Sequence, residues 1–325
     1  MHVRVRPFRS RLRFAVVAAL AILPAVASAQ PASFVFFGDS FVDAGNANAI
    51  ASSQGATFPY PSGRFSNGPV FSEYLASAFG RTNDGRASLL GGQNYAIGGA
   101  TTGTGNVAFG SGFGLLNQVA TYAGTNPAPS AGRVAVLFAG GNDFLSAGAP
   151  NPAQMVANMT GAAATLRGLG ITQFLIPTLP DLSRTPRGLA LDAATRTALS
   201  FGIGQYNGGL LTAFGQFAQQ TGARVVGFRL DNLFVDLLNN PAGYGFANTT
   251  QPCIPVPGYS VAASCATSVF FDDLHPTTAA HRVVGQATAG ALQATIPEPA
   301  TVLLLGAGVV TLTGFAAARR RTRAA

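Results

Sequence analysis

Residues 34–46 read FVFFGDSFVDAGN, and the fold is decided there. Phe34, Val35, Phe36 and Phe37 are all strand formers, and four in succession describe a short buried strand. Gly38 then lets the backbone turn sharply at the carboxyl end of that strand, and Asp39-Ser40 follows the turn. A serine just past a central strand of an α/β sheet sits where such sheets build their sites. Its N–H can help hold an oxyanion beside its own hydroxyl. Taken alone, a G-D-S tripeptide is weak evidence, since most are plain turns.

Outward from that strand, apolar β-rich runs at 134–139, 171–176 and 223–228 alternate with helical patterns at 69–79, 152–169 and 189–220. The alternation predicts a parallel central sheet with helices on both faces, a three-layer α/β/α sandwich. Pro69 suits a first helical position and Gly80 a helix end. The Gly/Ser/Asn-rich stretch 91–114 reads as an ordered loop that carries part of a site, with mobile flanks, rather than as a linker.

The two ends of the chain are addresses rather than fold. Arg4, Arg6, Arg9, Arg11 and Arg13 form a basic region, 14–23 is apolar, and Ala27-Ser28-Ala29 is an A-x-A cleavage site. That layout predicts a signal peptide over 1–29, and the absence of an adjacent arginine pair there favours general secretion. At the other end Pro297-Glu298-Pro299 precedes the uncharged run 300–318, which is followed by Arg319, Arg320, Arg321 and Arg323. The run is long enough for a transmembrane helix with the arginines on the cytoplasmic side. The predicted organisation is therefore signal peptide 1–29, a folded domain 30–296 and a sorting segment 297–325.

Removing those ends changes the meaning of the charge. The formal net charge is +8 and the pI about 10.3, from 20 basic and 12 acidic residues. All the basic residues are arginine, and nine of them lie in the terminal segments. What remains is 11 arginines against 11 carboxylates, since Glu298 also falls outside. With no basic cluster left in the domain, a nucleic-acid partner is excluded.

Three later blocks give the serine a context. Residues 94–102 read NYAIGGATT, 139–144 read AGGNDF and 271–277 read FDDLHPT. Their order and spacing resemble the conserved blocks of the GDSL lipases, also called SGNH hydrolases, with Ser40, Gly99, Asn142 and His275 at the four named positions. SGRFSNGPVFSEYLA at 62–76 is similar to the longer GDSL subfamily that includes plant lipases and bacterial secreted esterases, and the likeness covers about 33–292. The motif here is G-D-S-F, with phenylalanine in place of leucine. The C-terminal layout resembles a PEP-CTERM sorting signal of Gram-negative bacteria, which a membrane protease cuts near P-E-P.

The chemistry asks for a base within reach of the serine, held in one tautomer by an acceptor. Only His275 and His281 remain after export. Asp272 and His275 share one D-x-x-H-P-T segment, with Asp273 as the rival carboxylate and Pro276 suited to start the next helix. The resemblance assigns the orienting role to Asp272, and His281 reads as a partly exposed helical residue. It also implies an oxyanion hole made by the Ser40 N–H, the Gly99 N–H and the Asn142 side-chain amide, with Gly98 the alternative to Gly99. Read singly, the glycines are a turn and Asn142 a helix cap. No G-x-S-x-G occurs, so the α/β-hydrolase elbow is absent.

No metal or other cofactor is implied: Asp39, Asp43 and Asn46 lack calcium-loop spacing, and Asp39 suits a backbone-bonding turn role. Cys253 and Cys265, in an exported loop, read as one disulfide. The expected activity is hydrolysis of a carboxylic ester by an exported serine enzyme acting at the cell surface or matrix. Its partners would be a lipid, small ester or acylated glycan and a membrane sorting protease. Phe58, Tyr60, Phe65 and Phe113 favour an apolar acyl pocket, and the absence of tryptophan weighs against the alternative, a polysaccharide deacetylase. A non-catalytic surface protein on the same fold is the reading from another class.

Overall fold

The computed structural model describes residues 31–295, except Ala32, Pro61 and residues 126–131, 147–148 and 255–262. The predicted signal peptide and the predicted membrane helix at 300–318 lie outside the described residues. Among those described, no helix is long and apolar enough to cross a membrane.

The strands are β1 (Ser33–Gly38), β2 (Gly105–Asn106), β3 (Gly110–Ser111), β4 (Arg133–Phe138), β5 (Gln173–Pro177) and β6 (Arg224–Phe228). The helices are α1 (Asn46–Ser53), α2 (Phe71–Ala78), α3 (Thr82–Gly85), α4 (Leu115–Thr125) and α5 (Gly141–Leu145). They continue with α6 (Pro152–Gly168), α7 (Pro186–Leu189), α8 (Ala193–Thr221), α9 (Leu230–Asn239) and α10 (Thr278–Ala294). β1, β4, β5 and β6 form a parallel sheet in that order, and β2 with β3 makes a small hairpin. In β1, Phe34 to Phe37 are wholly buried, and so are Val134 to Leu137 in β4, as strands covered on both faces require. Two helix sets supply the cover: α2 packs on α10, and α6 packs on α8 and α4. The expected α/β sandwich with a parallel central sheet is what the chain forms.

The outer edge of β1 is also paired. Phe36 N–H donates to the Gln93 carbonyl, and Tyr95 and Ile97 N–H groups donate to the Phe36 and Gly38 carbonyls. The NYAIGG block thus runs beside β1 as a short further rung of the sheet and arrives at the same end as Ser40. Gly38 faces Phe138 across the β1–β4 ladder. A Cβ at position 38 would stand 2.2 Å from the Phe138 carbonyl oxygen, so only glycine allows the two strands to close there. The Gln118 side chain bonds both the N–H and the carbonyl of Gly38, each at 2.8 Å.

Helix boundaries differ from expectation where capping decides. The pattern at 189–220 contains a break, because Asp192 accepts the Thr195 N–H as N-cap of α8 and separates it from α7. Pro69 is not the first helical residue; Val70 is the cap of α2, and its N–H is taken by Glu73. Pro276 likewise precedes the cap of α10, which is Thr277. Gly80 does end α2, with φ 68 just after the cap residue Phe79.

Candidate active site

Ser40 follows β1, Asn142 lies in the first turn of α5 after β4, and the Asp272/His275 loop leads into α10. The first two stand at the carboxyl ends of strands, where open α/β sheets place ligands. The Asp/His loop is set by alternation. Phe270 packs into a cluster with Phe234, Leu237 and Val269, while Phe271 packs the opposite way with Tyr60, Ile254 and Cys265. Burying two phenylalanines contributes about 1.5–3 kcal/mol each and fixes the direction of Asp272. The Phe271 N–H donates to the His275 carbonyl at 2.7 Å, closing the loop.

His275 Nε2 is 2.8 Å from Ser40 Oγ, and His275 Nδ1 is 2.7 Å from Asp272 Oδ2. A carboxylate only accepts, so Nδ1 carries the proton and Nε2 is free to accept from the serine hydroxyl. Asp272 is fully occupied. Oδ1 receives the Leu274 and His275 N–H groups at 2.8 and 2.6 Å, and Oδ2 receives the Tyr60 hydroxyl at 2.7 Å besides His275. Burial alone would raise its pKa, but His275 and these donors hold it well below the usual carboxylate range. The rival Asp273 is engaged elsewhere, in a two-point pair with Arg187 at 2.9 Å.

Gly98 and Gly99 differ in what their N–H groups meet. Gly98 N–H donates to Asp43 Oδ2 at 2.8 Å. The Gly99 N–H and the Ser40 N–H have no acceptor among the described residues. Gly99 has φ 86, and a Cβ there would sit 2.6 Å from Asn106 Oδ1. On its other side the Ala100 carbonyl receives one N–H of the Asn142 amide at 3.0 Å. That bond orients the amide and leaves its second N–H for a ligand. Asn142 is not the helix cap, which is Gly140.

Asp43 is the staple of the whole arrangement. Its oxygens accept the N–H groups of Gly45, Asn46, Ala47 and Gly98 at 2.7–3.0 Å. Asn46 donates in turn to the Asn94 and Ala96 carbonyls, and Asn94 donates to the Val42 carbonyl. These buried bonds lock the serine loop to the glycine block. Asp39 accepts the Phe41 N–H at 3.0 Å, the turn role expected of it. Burial pushes the Asp39 carboxyl up to about 7, against the opposing pull of that N–H and of His275.

The phenylalanine of G-D-S-F is an anchor: the Phe41 ring lies 4.9 Å from Phe138, 5.4 Å from Phe71 and 4.7 Å from His281. His281 itself corrects an expectation. It is fully buried on α10 rather than partly exposed; its Nδ1 accepts the Phe71 N–H at 3.3 Å, and burial depresses its pKa to about 3. Phe65 lies 5.1 Å from the His275 ring, with Tyr60 and Phe58 behind it, whereas Phe113 pairs with Phe109. None of these four lines the cavity beside Ser40. Its walls are Phe41, Phe138, Leu145, Leu179, Leu182 and Leu274 together with Asn142 and His275. Cys253 and Cys265 are joined, with Cα atoms 5.1 Å apart, and the Cys253 and Ile254 N–H groups donate to the Phe270 and Phe271 carbonyls. The disulfide therefore braces the segment that delivers Asp272.

Comparison with known proteins follows the same residues. A family model described as GDSL-like lipase/acylhydrolase matches 34–288, and one described as the PEP-CTERM protein-sorting motif matches 295–321. The chain is 28% identical over 275 residues to the thermolabile hemolysin of Vibrio parahaemolyticus, across 78% of this chain and 62% of that protein. It therefore spans less than two thirds of the hemolysin's length. It is 25% identical over 315 residues to a GDSL esterase/lipase of Arabidopsis thaliana, across 78% of this chain and 88% of that protein. Among solved structures, the acetyl xylan esterase AlAXEase aligns with 80% of this chain and 98% of its own at 15% identity and a TM-score of 0.40. With one family model running unbroken from the first strand into the helix after His275, the chain belongs to the GDSL-like lipase/acylhydrolase family.

Proposed function

We propose that the protein is an exported serine esterase that hydrolyses carboxylic acyl esters through an acyl-enzyme on Ser40. The observation that carries this reading is the continuous path of short hydrogen bonds from Ser40 Oγ through His275 to Asp272. As Oγ attacks the ester carbonyl, His275 Nε2 takes its proton, and Asp272 holds Nδ1–H and stabilises the imidazolium. The Ser40 and Gly99 N–H groups and the free Asn142 N–H receive the oxyanion. His275 then protonates the departing alcohol, and water attacks the acyl carbon by the same route to release the acid and restore Ser40.

In this reading 30–296 is the hydrolase domain, 1–29 the leader and 297–325 the sorting segment. The uncharged run 300–318 holds the chain in the inner membrane until a protease cuts near Pro297-Glu298-Pro299, after which the enzyme works at the cell surface or matrix. The PEP-CTERM match supports that placement. A chain truncated after Ile296 should keep its kinetic constants and change its location.

A second reading, removal of acetyl groups from an extracellular polysaccharide, draws support from the small cavity beside Ser40, about 50 Å³. Turnover of p-nitrophenyl acetate, butyrate and octanoate, run beside acetylated xylan, tests both. Preference for the longer aryl esters supports the acyl esterase, and turnover of acetylated xylan with acetate as the sole aryl ester accepted supports the deacetylase. No turnover of any of them would contradict the esterase reading.

A further inference from the structure

Gly98 has no room for a side chain, and one aromatic ring is the reason. A Cβ at position 98 would stand 2.0 Å from Phe65 Cε2 and 2.3 Å from Phe65 Cζ. The same ring has its centroid 5.1 Å from that of His275, with the two planes 39° apart. Phe65 therefore lies against both the loop that carries Gly99 and the base, and it is not among the walls of the cavity beside Ser40. The backbone on either side of it is fixed. Arg64 pairs with both oxygens of Glu73 at 2.6 Å and donates to the Ser62 carbonyl at 2.9 Å. The buried Ser66 hydroxyl donates to the carbonyl of Pro276, the residue after His275, at 2.9 Å. Phe58 and Tyr60 pack on the Phe65 ring at 5.2 Å each.

We propose that Phe65 is a positioning residue for the base: its ring sets the plane of the His275 imidazole and stabilises the positive charge that the imidazole gains during the reaction, an inference that rests on the serine esterase reading. As Ser40 Oγ bonds to the ester carbonyl carbon, its proton passes to His275 Nε2, and the neutral imidazole becomes a cation. Asp272 meets that charge at Nδ1. With the His275 side chain only 12% exposed, little water reaches the rest of the cation. The face of an aromatic ring carries negative partial charge and attracts a cation within about 6 Å of its centroid. Phe65 stands inside that range, whereas the Tyr60 ring is 6.2 Å away and nearly perpendicular. Because the charge appears only with proton transfer, the attraction lowers the barrier and leaves substrate binding alone. Its loss therefore falls on kcat rather than on KM.

Fluorinated phenylalanines at position 65 test this, because fluorine drains charge from the ring face and leaves the ring's shape nearly unchanged. In the purified protein, kcat for p-nitrophenyl acetate should fall with each fluorine from phenylalanine to mono-, di- and trifluorophenylalanine, by about 3- to 10-fold in all, with KM nearly constant. Isomers with two fluorines should behave alike, since the charge on the face follows their number whereas a steric clash would follow their place. Phe65→Leu, which keeps apolar bulk and removes the face, should lose at least as much kcat as the trifluoro ring. Should that variant fail to fold, the fluorine series decides alone. A kcat indifferent to fluorination, a rate set by fluorine position, or a change confined to KM would overturn the proposal. Wild-type protein with neither turnover of this ester nor fluorophosphonate labelling would contradict the serine esterase reading, and the inference would fall with it.

Discussion

Tyr60 and Asp272 stand 212 residues apart in sequence and share a 2.7 Å hydrogen bond, made to the same carboxylate oxygen that receives His275 Nδ1. The phenol and the imidazole therefore compete for one anionic oxygen. Burial and the adjoining carboxylate push the Tyr60 hydroxyl well above the usual tyrosine range, so it remains a donor at any working pH. Removing that donor leaves Asp272 Oδ2 with His275 as its one side-chain partner and loosens the carboxylate that positions the base. Tyr60→Phe should therefore lower kcat about 3- to 10-fold with little change in KM. A kcat equal to wild type would remove Tyr60 from the positioning of the base.

Asn142 is oriented by Ala100 and holds one N–H in reserve. Asn142→Ala should lower kcat by about 10² to 10³ with KM nearly unchanged, as loss of one oxyanion donor does in other hydrolases. A variant altered in KM alone would place Asn142 in substrate binding.

Two buried groups make opposite demands on pH. The folded-state pKa of His281 is lowered to about 3, so its contribution to stability is complete above the unfolded value of about 6.5 and is lost as pH falls toward the folded value. Asp39 is raised to about 7; its contribution is complete below about 3.8 and is lost as pH rises through 7. Urea unfolding should show wild type losing roughly 3 kcal/mol between pH 6.5 and 4.5 that His281→Gln does not lose. Asp39→Asn should gain roughly 3 kcal/mol relative to wild type between pH 5 and pH 8. Parallel stability curves for a variant and wild type would contradict the corresponding burial.

The disulfide closes a loop of sequence separation 12 beside the segment that carries Asp272. Replacing both Cys253 and Cys265 by alanine should cost about 2–4 kcal/mol of stability. Because the backbone bonds of Cys253 and Ile254 lead directly to Phe270 and Phe271, kcat should fall as well. Two alkylatable thiols in native, unreduced protein would contradict the bond.

What was legible in the sequence was what lies in contiguous blocks. Ser40, Asn142 and the Asp272/His275 pair each sit inside a motif whose local order is its own signal, and the strand/helix alternation gave the sheet. Partners drawn from afar were not legible. Tyr60 looked like one aromatic among four because its acceptor is 212 residues away, and Gln118 carries no local sign that it clamps Gly38. His281 reads by itself as a partly exposed helical residue, yet Phe41 and Phe71 enclose it. Nor was it legible that the Asp43 carboxylate takes the Gly98 N–H, from 55 residues away, and leaves that of Gly99. The cavity wall at Leu179 and Leu182 belongs to a connection without periodicity, so no pattern could announce it.

The central claim is that His275, held by Asp272, activates Ser40, and a fluorophosphonate tests it at the atom concerned. Mass spectrometry of the labelled, digested protein should find one adduct, on the peptide containing Ser40. Labelling should be absent in Ser40→Ala and slowed by at least about 10³ in His275→Ala. An adduct on another residue, undiminished labelling of Ser40→Ala, or no adduct on the folded wild-type protein would contradict it.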